Sequence, residues 1–476
     1  MSASKPNVIV ICSDTYRPDY IAANGRQELR TPELDDLLAR SITFDRATVS
    51  SFPTIPMRTD FFTGRFSHPR HGWKDLDREA ITLPAVLNAN GYTTQLIADT
   101  THMLRAGFWR PFNAFHFERG HEGDCPFTRL NDPMVPQVRD RRKTRVEKGL
   151  PDDRPTLCDR HAHTNFRRRY EDEGHSPRLA DLICRWIEDN YRGGPFMLWA
   201  DFFDVHEPWY PPRYLMDLYH PGYEGDPMPH PNYTWADAYE PEELADLRAR
   251  YAGMCTLVSK SVGRILRLLD DTGLWEDTIL LFTSDHGIYL GERGRTGKSL
   301  ITREAFDCFP FYRELSDICW SMHVPASLGL DTLAPGSRVS QIAQAPDLMP
   351  TALDLCGIEP PDESRIEGRS LTPWLKGATD EPIRDLAVTA WTRGERISCA
   401  PAITDGRWTL LLKAPPNAEP PALYDLSSDP QQTKNVIADH ADEAGRLHRA
   451  FLQWLADHDA ARARERFTAE AVSLGG

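Results

Sequence analysis

The segment Thr54-Ile55-Pro56-Met57-Arg58, running on through Thr59-Asp60-Phe61-Phe62-Thr63-Gly64-Arg65, sets a hydroxyl one helical turn ahead of a guanidinium. The pattern predicts a helix that begins here. Thr54 is its N-cap, Pro56 falls in the first turn, where proline is tolerated, and Arg58 reaches back toward the same helix end. Free backbone N–H groups and the positive end of the helix dipole make that end a seat for an anion. A phosphoryl or sulfuryl group is therefore the natural target of a nucleophilic Thr54. A lone Thr-x-Pro would be only an ordinary cap, so the weight of this reading rests on what the rest of the chain brings to it.

Four apolar runs each end in an acid or a histidine. Val8–Cys12 leads into Ser13-Asp14, Tyr92–Ala98 into Asp99 and His102, Phe196–Phe203 into Asp204 and His206, and Ile279–Thr283 into Ser284-Asp285-His286. Each run is continuous and not alternating, as expected of a strand covered on both faces. Helical patterns lie between them at Thr31–Arg40, Leu83–Asn90, Pro177–Tyr191 and Glu242–Thr272. The expected fold is an α/β/α sandwich around a large, mostly parallel sheet. Ligands in such folds bind beyond the carboxyl ends of the strands, where all four polar clusters fall. One acid after a strand is usually a turn residue; four of them converge on one site.

Asp14, Asp285 and His286 offer the oxygen and nitrogen donors of a divalent cation site, which the Thr54 hydroxyl would complete. Coordination would lower the pKa of that hydroxyl, as an attack at neutral pH requires. After Leu371-Thr372-Pro373-Trp374 and a polar connection near Gly377–Glu381 the pattern changes to short alternating strands such as Trp408–Lys413, the turn-rich Tyr424–Pro430, and a closing amphipathic helix at about Ala441–Asp457. This divides the chain into a catalytic domain, 1–376, and a small carboxyl-terminal α+β subdomain, 377–476.

The Thr54–Arg58 pentad and its Thr63-Gly64-Arg65 continuation resemble the sulfatase branch of the alkaline phosphatase superfamily, whose motif reads Cys or Ser, any residue, Pro, any residue, Arg. Thr283-Ser284-Asp285-His286-Gly287, with Gly291-Glu292 and Lys298 beyond it, is similar to that superfamily's metal motif. Tyr424–Pro430 resembles the passage found in the small carboxyl-terminal subdomain of sulfatases. The resemblance implies that Lys298 contacts the oxygens of the transferred group and that His206, in Asp204-Val205-His206-Glu207-Pro208-Trp209, protonates the leaving oxygen as a general acid. His102 either contacts substrate or only satisfies its strand end. Arg17, Asn24-Gly25 and Thr31-Pro32 follow the superfamily's opening and need only structural roles. Where sulfatases carry two adjacent aspartates this chain has Asp14-Thr15. The loss of one hard carboxylate, with a histidine in the second motif, favours manganese, zinc or iron, with calcium or magnesium as alternatives.

The nucleophile separates the reactions. Oxidation of a Cys or Ser gives the formylglycine of true sulfatases, whereas the same oxidation of Thr54 would give a ketone. A formylglycine hydrate can expel sulfate from its geminal diol, but threonine has no second hydroxyl. A phospho-threonine can instead be opened by metal-assisted water attack at phosphorus. Metal-dependent hydrolysis of phosphate diesters or phosphonate monoesters therefore leads. A sulfatase working without formylglycine is the alternative, and a non-catalytic anion-binding protein of sulfatase type is a third reading. Counting Arg58, Lys298 and one metal against the substrate favours a monoanionic ester over a dianionic one. A second metal held by Asp204 and His206 would reverse that conclusion.

The 476 residues carry a net charge of −15, which disfavours nucleic acid and anionic membranes as partners and fits a small anionic ester only through a local pocket. Arg139–Arg169 interleaves basic and acidic residues and reads as a solvated insertion or a subunit contact, and homo-oligomers are common among similar proteins. No run approaches the roughly 18 apolar residues of a membrane span, and Met1–Asn7 has no apolar signal core, which gives a cytoplasmic address as the expectation. Nine scattered cysteines without a CxxC pair predict free, mostly buried thiols. Trp109, Trp209, Tyr210 and Tyr289 are expected mainly in the core, with walls of an apolar leaving-group pocket as the alternative. The loop Phe108–Asn131 is expected to help build that pocket.

Overall fold

Along the strand Asn7–Ser13, Val8, Val10 and Cys12 face one apolar cluster while Ile9 and Ile11 face another, and all five are buried. A strand with core on both sides needs helices on both sides, and the computed structural model shows that arrangement. It describes residues 5–126, 157–301, 306–393, 396–397, 401–412 and 419–469.

The main sheet has eight strands, in the spatial order Arg338–Val339, Ile42–Phe44, Trp320–His323, Thr278–Ser284, Asn7–Ser13, Phe196–Phe202, Thr93–Ala98 and Ala114–Phe117. All neighbours run parallel except Trp320–His323, which is antiparallel to both its partners. On one face, Ile55, Met57, Phe61 and Phe62 of the helix Thr54–Thr63 pack with Trp199 and with the helices Leu83–Ala89 and Leu348–Leu355. On the other, the helices Pro32–Ala39, His175–Asn190 and Pro241–Thr272 supply Leu34, Leu37, Leu179, Ile183, Leu247 and Val258. The four helices and four central strands expected from periodicity are all present, with ends displaced by a residue or two.

Register does the positioning. Ser13 lies opposite Phe202 on one side and Ser284 on the other, and Ala98 lies opposite Asp201. Asp14, Asp99, Asp204 and Asp285 therefore leave the sheet along one edge.

A second sheet orders Arg396–Ile397, Ala387–Arg393, Ala402–Thr404, Trp408–Leu411 and Ala422–Asp425, and the short strand Ser51–Phe52 pairs in parallel with Ala387–Arg393. Trp408–Leu411 is buried along its whole length and so lacks the expected polar alternation. Trp408 and Leu410 pack with Leu447 and Phe451 of the helix Ala441–Asp457, while Leu411 packs toward the large core. That helix has the expected limits but is not the last element, since Ala461–Ala469 follows it. The expectation of thiols alone fails at Cys308, which is disulfide-bonded; Cys12, Cys125, Cys158, Cys184, Cys255, Cys319 and Cys356 are in no disulfide. A single bridge leaves no signature among scattered cysteines. Among the described residues no helix is long and apolar enough to cross a membrane. Most of the basic stretch Arg139–Arg169, and residues 127–131 of the expected pocket loop, lie outside the described residues.

Gly287, directly after the expected metal ligand His286, has no room for a side chain: a Cβ would stand 2.2 Å from the carbonyl oxygen of Glu314. A Cβ on Gly193 meets nothing nearer than 3.5 Å. Gly287→Ala should lose about 1–3 kcal/mol of stability by overpacking, and Gly193→Ala less than about 0.5 kcal/mol. Urea midpoints compare the two variants directly, and equal midpoints would show that the Gly287 turn yields.

Candidate active site

Thr54 is the first residue of its helix and not the cap. Pro53 occupies the cap position, and its carbonyl accepts the first helical hydrogen bond, from Met57 N–H at 3.0 Å. The expectation of Thr54 as the cap is thereby corrected, because Pro53 stands at that position and Thr54 is already helical. Ser51–Phe52 delivers it to the strand ends. Phe52 is wedged among Phe311, Trp391 and the imidazole of His286, with ring centroids 5.3, 5.0 and 4.7 Å away.

Arg58 is fully buried at the centre of the site. Its Nη1 donates to Asp285 Oδ2 at 2.6 Å and to the Thr54 carbonyl at 3.2 Å, and lies 3.2 Å from Asp14 Oδ2. Nε and Nη2 grip Asp201, at 3.0 Å to Oδ2 and 2.8 Å to Oδ1. The side chain reaches back to its own helix end as the sequence suggested, but it touches the site through three carboxylates and presents no exposed surface to a substrate. It is a positioning residue. Counting it among the groups that bind substrate charge is corrected here.

Asp14, Asp285 and His286 place one potential ligand atom each within 4.8 Å of one another, all buried. His286 Nδ1 lies 3.1 Å from the carbonyl of Gly287, which can only accept, so this nitrogen carries the proton and Nε2 keeps its lone pair. Nε2 and Asp14 Oδ2 are buried without hydrogen-bond partners. Thr15, at φ 63°, fills the place of the second aspartate: its hydroxyl donates to Asp14 Oδ1 at 2.7 Å and its N–H to Asp285 Oδ1 at 2.8 Å. Burial, and then the neighbouring Asp285, push the Asp14 carboxyl well above the usual range. Burial would raise Asp285 too, but His286 and Arg58 hold it low. With a divalent cation bound in place of the Asp14 proton, three ionised carboxylates around one guanidinium would carry two negative charges to match it. The donors present fit such an ion, and its nitrogen ligand fits manganese, zinc or iron.

Across from this group, Lys298 Nζ lies 3.3 Å from Glu207 Oε2, and Tyr233 donates its hydroxyl to Glu207 Oε1. His206 donates Nδ1–H to the Glu207 carbonyl at 2.7 Å and stacks on Phe203, centroids 4.3 Å apart. Burial lowers its pKa to about 4 even against the pull of Glu207. His206 is thus neutral at pH 7, which corrects the expectation of a ready general acid. His102 reaches Glu122, with Nε2 3.4 Å from Oε2, and packs edge-on against Phe203. It stands on the same wall without touching the metal group. The suggested Asp204–His206 pair does not form, because Asp204 turns away to Ser176 and His121. Trp209 and Tyr289 are core residues, whereas Trp109 is partly exposed against Phe115. Asp201, Glu207 and Tyr233 were missed from sequence. Asp201 alone had a signal: a carboxylate inside an otherwise apolar strand.

A mostly parallel α/β sheet with a buried Asp/Asp/His group at its carboxyl edge and a hydroxyl at a helix start fits a hydrolase of the alkaline phosphatase type, with donors that could hold a divalent ion. Residues 6–358 match the family described as Sulfatase, and residues 312–456 match the one described as N-sulphoglucosamine sulphohydrolase, C-terminal. The chain belongs to the sulfatase family of the alkaline phosphatase superfamily, and is a hydrolase of that family. It is 26% identical over 514 residues to the multifunctional alkaline phosphatase superfamily protein PehA of Trinickia caryophylli, covering 92% of each chain. It is 26% identical over 415 residues to an arylsulfatase of Clostridium perfringens, covering 77% of this chain and 78% of that one. The phosphonate monoester hydrolase of Agrobacterium radiobacter superposes with a TM-score of 0.70 at 23% identity, over 95% of this chain and 96% of the other.

Manganese should raise the melting temperature of the chelated protein, by an amount equivalent to about 2.7 kcal/mol at a hundredfold excess over Kd. The same titration on Asp285→Asn should give almost no rise. An undiminished rise in that variant would place the ion elsewhere.

Proposed function

We propose that the protein hydrolyses monoanionic phosphorus esters, either phosphate diesters or phosphonate monoesters, with Thr54 as nucleophile. The observation that carries this is the threonine itself, at the start of a helix whose Arg58 bonds both the Thr54 carbonyl and Asp285 of the Asp14, Asp285 and His286 group. Its hydroxyl oxygen would form a bond to phosphorus as the ester oxygen leaves. Water would then attack the phospho-threonine at phosphorus and return Thr54. A divalent ion held by Asp14, Asp285 and His286 supplies what this needs, a lowered hydroxyl pKa and compensation of negative charge.

The charge inventory supports a monoanionic group. Arg58 is consumed by Asp14, Asp201 and Asp285, which leaves Lys298 as the cation facing substrate, itself shared with Glu207. A dianionic monoester would be poorly matched. His206, with Nδ1 held by the Glu207 carbonyl, has Nε2 to exchange a proton with the attacking water or the leaving oxygen.

Sulfate esters are also monoanionic, and similarity to an arylsulfatase favours them as a second reading. The nucleophile argues the other way, since a sulfated threonine lacks the geminal hydroxyl that expels sulfate.

Release of nitrophenol from bis(4-nitrophenyl) phosphate and from 4-nitrophenyl sulfate, with manganese present, decides between them. The diester should turn over faster. Thr54→Ala should lose roughly 10³-fold or more of that rate, and Thr54→Ser should stay within about tenfold of the parent because it keeps the hydroxyl. Sulfate turnover exceeding diester turnover would overturn the proposal, as would an unimpaired Thr54→Ala.

A further inference from the structure

Asp204 leads away from the site above to a second cluster. Its Oδ2 accepts from the N–H of Ser176 at 3.2 Å and from the Ser176 hydroxyl, and its Oδ1 accepts from Nε2 of His121 at 2.7 Å. His121 sits in the loop beyond the strand Ala114–Phe117, His161 in the helix Leu157–Asn165, and His175 opens the helix His175–Asn190. All three are buried, and one potential ligand atom from each lies within 4.8 Å of the others. Nδ1 of His161 and both ring nitrogens of His175 have no hydrogen-bond partner. Buried polar atoms left bare are costly, and His161 and His175 each bring at least one such nitrogen to the cluster, which asks for an occupant.

We propose that His121, His161 and His175 bind a divalent transition-metal ion of the zinc class, at a site distinct from Asp14, Asp285 and His286. Three imidazoles are a nitrogen-rich set of the kind zinc and its neighbours prefer. Arg168, Arg169, Arg213 and Arg250 also line the cavity, but the carboxylate of Asp204, 2.7 Å from one of the rings, favours a cation at the histidines themselves. It also sets the tautomer. The Glu122 N–H donates to His121 Nδ1 at 2.9 Å, so Nε2 carries the proton given to Asp204. A carboxylate behind one nitrogen with the other nitrogen on the metal is the usual support of a ligating histidine. The Glu122 contact is the one that an ion would replace. Zinc–nitrogen bonds of about 2.0–2.1 Å place ligand atoms roughly 3.3 Å apart, so the rings would draw together by an ångström or so. The three rings and Asp204 line a cavity of about 310 Å³, which has room for a water completing the tetrahedron.

The two sites lie back to back. His121 packs edge-on against Phe203 with centroids 4.9 Å apart, and the same ring stacks on His206. An ion here would tie the loop and both helices to the strand end that carries the hydrolytic wall. The inference does not depend on which ester is cleaved.

Elemental analysis of zinc retained after dialysis tests it in the full-length chain carrying Asp285→Asn and His286→Ala. One zinc per chain is expected to remain, and to be lost when His175→Gln is added. A folded Asp285→Asn/His286→Ala chain that retains no zinc overturns the proposal. Should that background fail to fold, cobalt spectra of the otherwise native chain and of His175→Gln alone give an independent answer. The intense bands of a nitrogen-rich, low-coordinate site should vanish in the variant, and identical spectra would overturn the assignment. Inorganic phosphate suppressing zinc uptake in the Asp285→Asn/His286→Ala chain by binding at His175 would likewise overturn it, in favour of an anion pocket.

Discussion

The buried guanidinium of Arg58 is the constraint around which this molecule is arranged. One cation accepts the company of Asp14, Asp201 and Asp285, which come from three adjacent strands, and bonds the carbonyl of Thr54 from below. None of these carboxylates would tolerate burial alone. Removing the guanidinium would leave uncompensated charge of the kind that costs about 3–5 kcal/mol in other proteins. Its more specific consequence is geometric. A planar fork that grips Asp201 with Nε and Nη2 has only Nη1 left for Asp285, Asp14 and Thr54, so the distance between nucleophile and metal seat is set by one side chain. Thr100 and Trp199 fix Asp201 in turn, through hydrogen bonds from a hydroxyl and an indole N–H.

The second sheet belongs to this arrangement more closely than its place in the chain suggests. Ala390 and Trp391 pair with Ser51 and Phe52, the two residues immediately before the cis-proline at position 53, which Thr54 follows. Phe52 is then the contact between Trp391 and His286. A segment more than three hundred residues away in sequence thus supports both the strand that delivers Thr54 and the ring that would hold the ion. Loss of the carboxyl-terminal sheet would therefore act on the site and not only on stability.

The elements and the metal donors were readable from sequence because their causes are local. Strands covered on both faces write continuous apolar runs, and the acids that close those runs can hardly be anything but polar ends. Asp14, Asp285 and His286 were singled out on that ground, and the fold brings them together; Thr54 was singled out from its spacing to Arg58. What escaped were relations between distant residues. Arg58 could be placed at the helix end, but nothing local reveals that three carboxylates surround it and withdraw it from substrate. The neutrality of His206 is likewise a product of burial that spacing does not encode. Thr54 was misplaced by one position because Pro53, with its missing N–H, takes the cap and threonine statistics cannot see that. The three-histidine cluster joins residues 121, 161 and 175, whose separations follow no metal-ligand spacing; only the fold brings them to Asp204.

A threonine in the nucleophile position has consequences for the whole cycle, and they bear on how the rest of the site must be built. A geminal diol carries the means of its own release, so an enzyme that uses one needs no water at the central atom. A threonine ester does not, and the pocket must then admit and orient a water on the face opposite the threonine oxygen. The groups around the site meet that demand better than the demands of sulfate release. His206 is neutral and keeps Nε2 free of its backbone bond, while Lys298, partly compensated by Glu207, offers charge without closing the wall. The missing second aspartate fits the same logic. Thr15 stands in place of a ligand and offers a hydroxyl that orients Asp14, which leaves a sparser ligand set. On the proposed reading, the threonine, the histidine and the reduced carboxylate count would be one adaptation to hydrolysis at phosphorus.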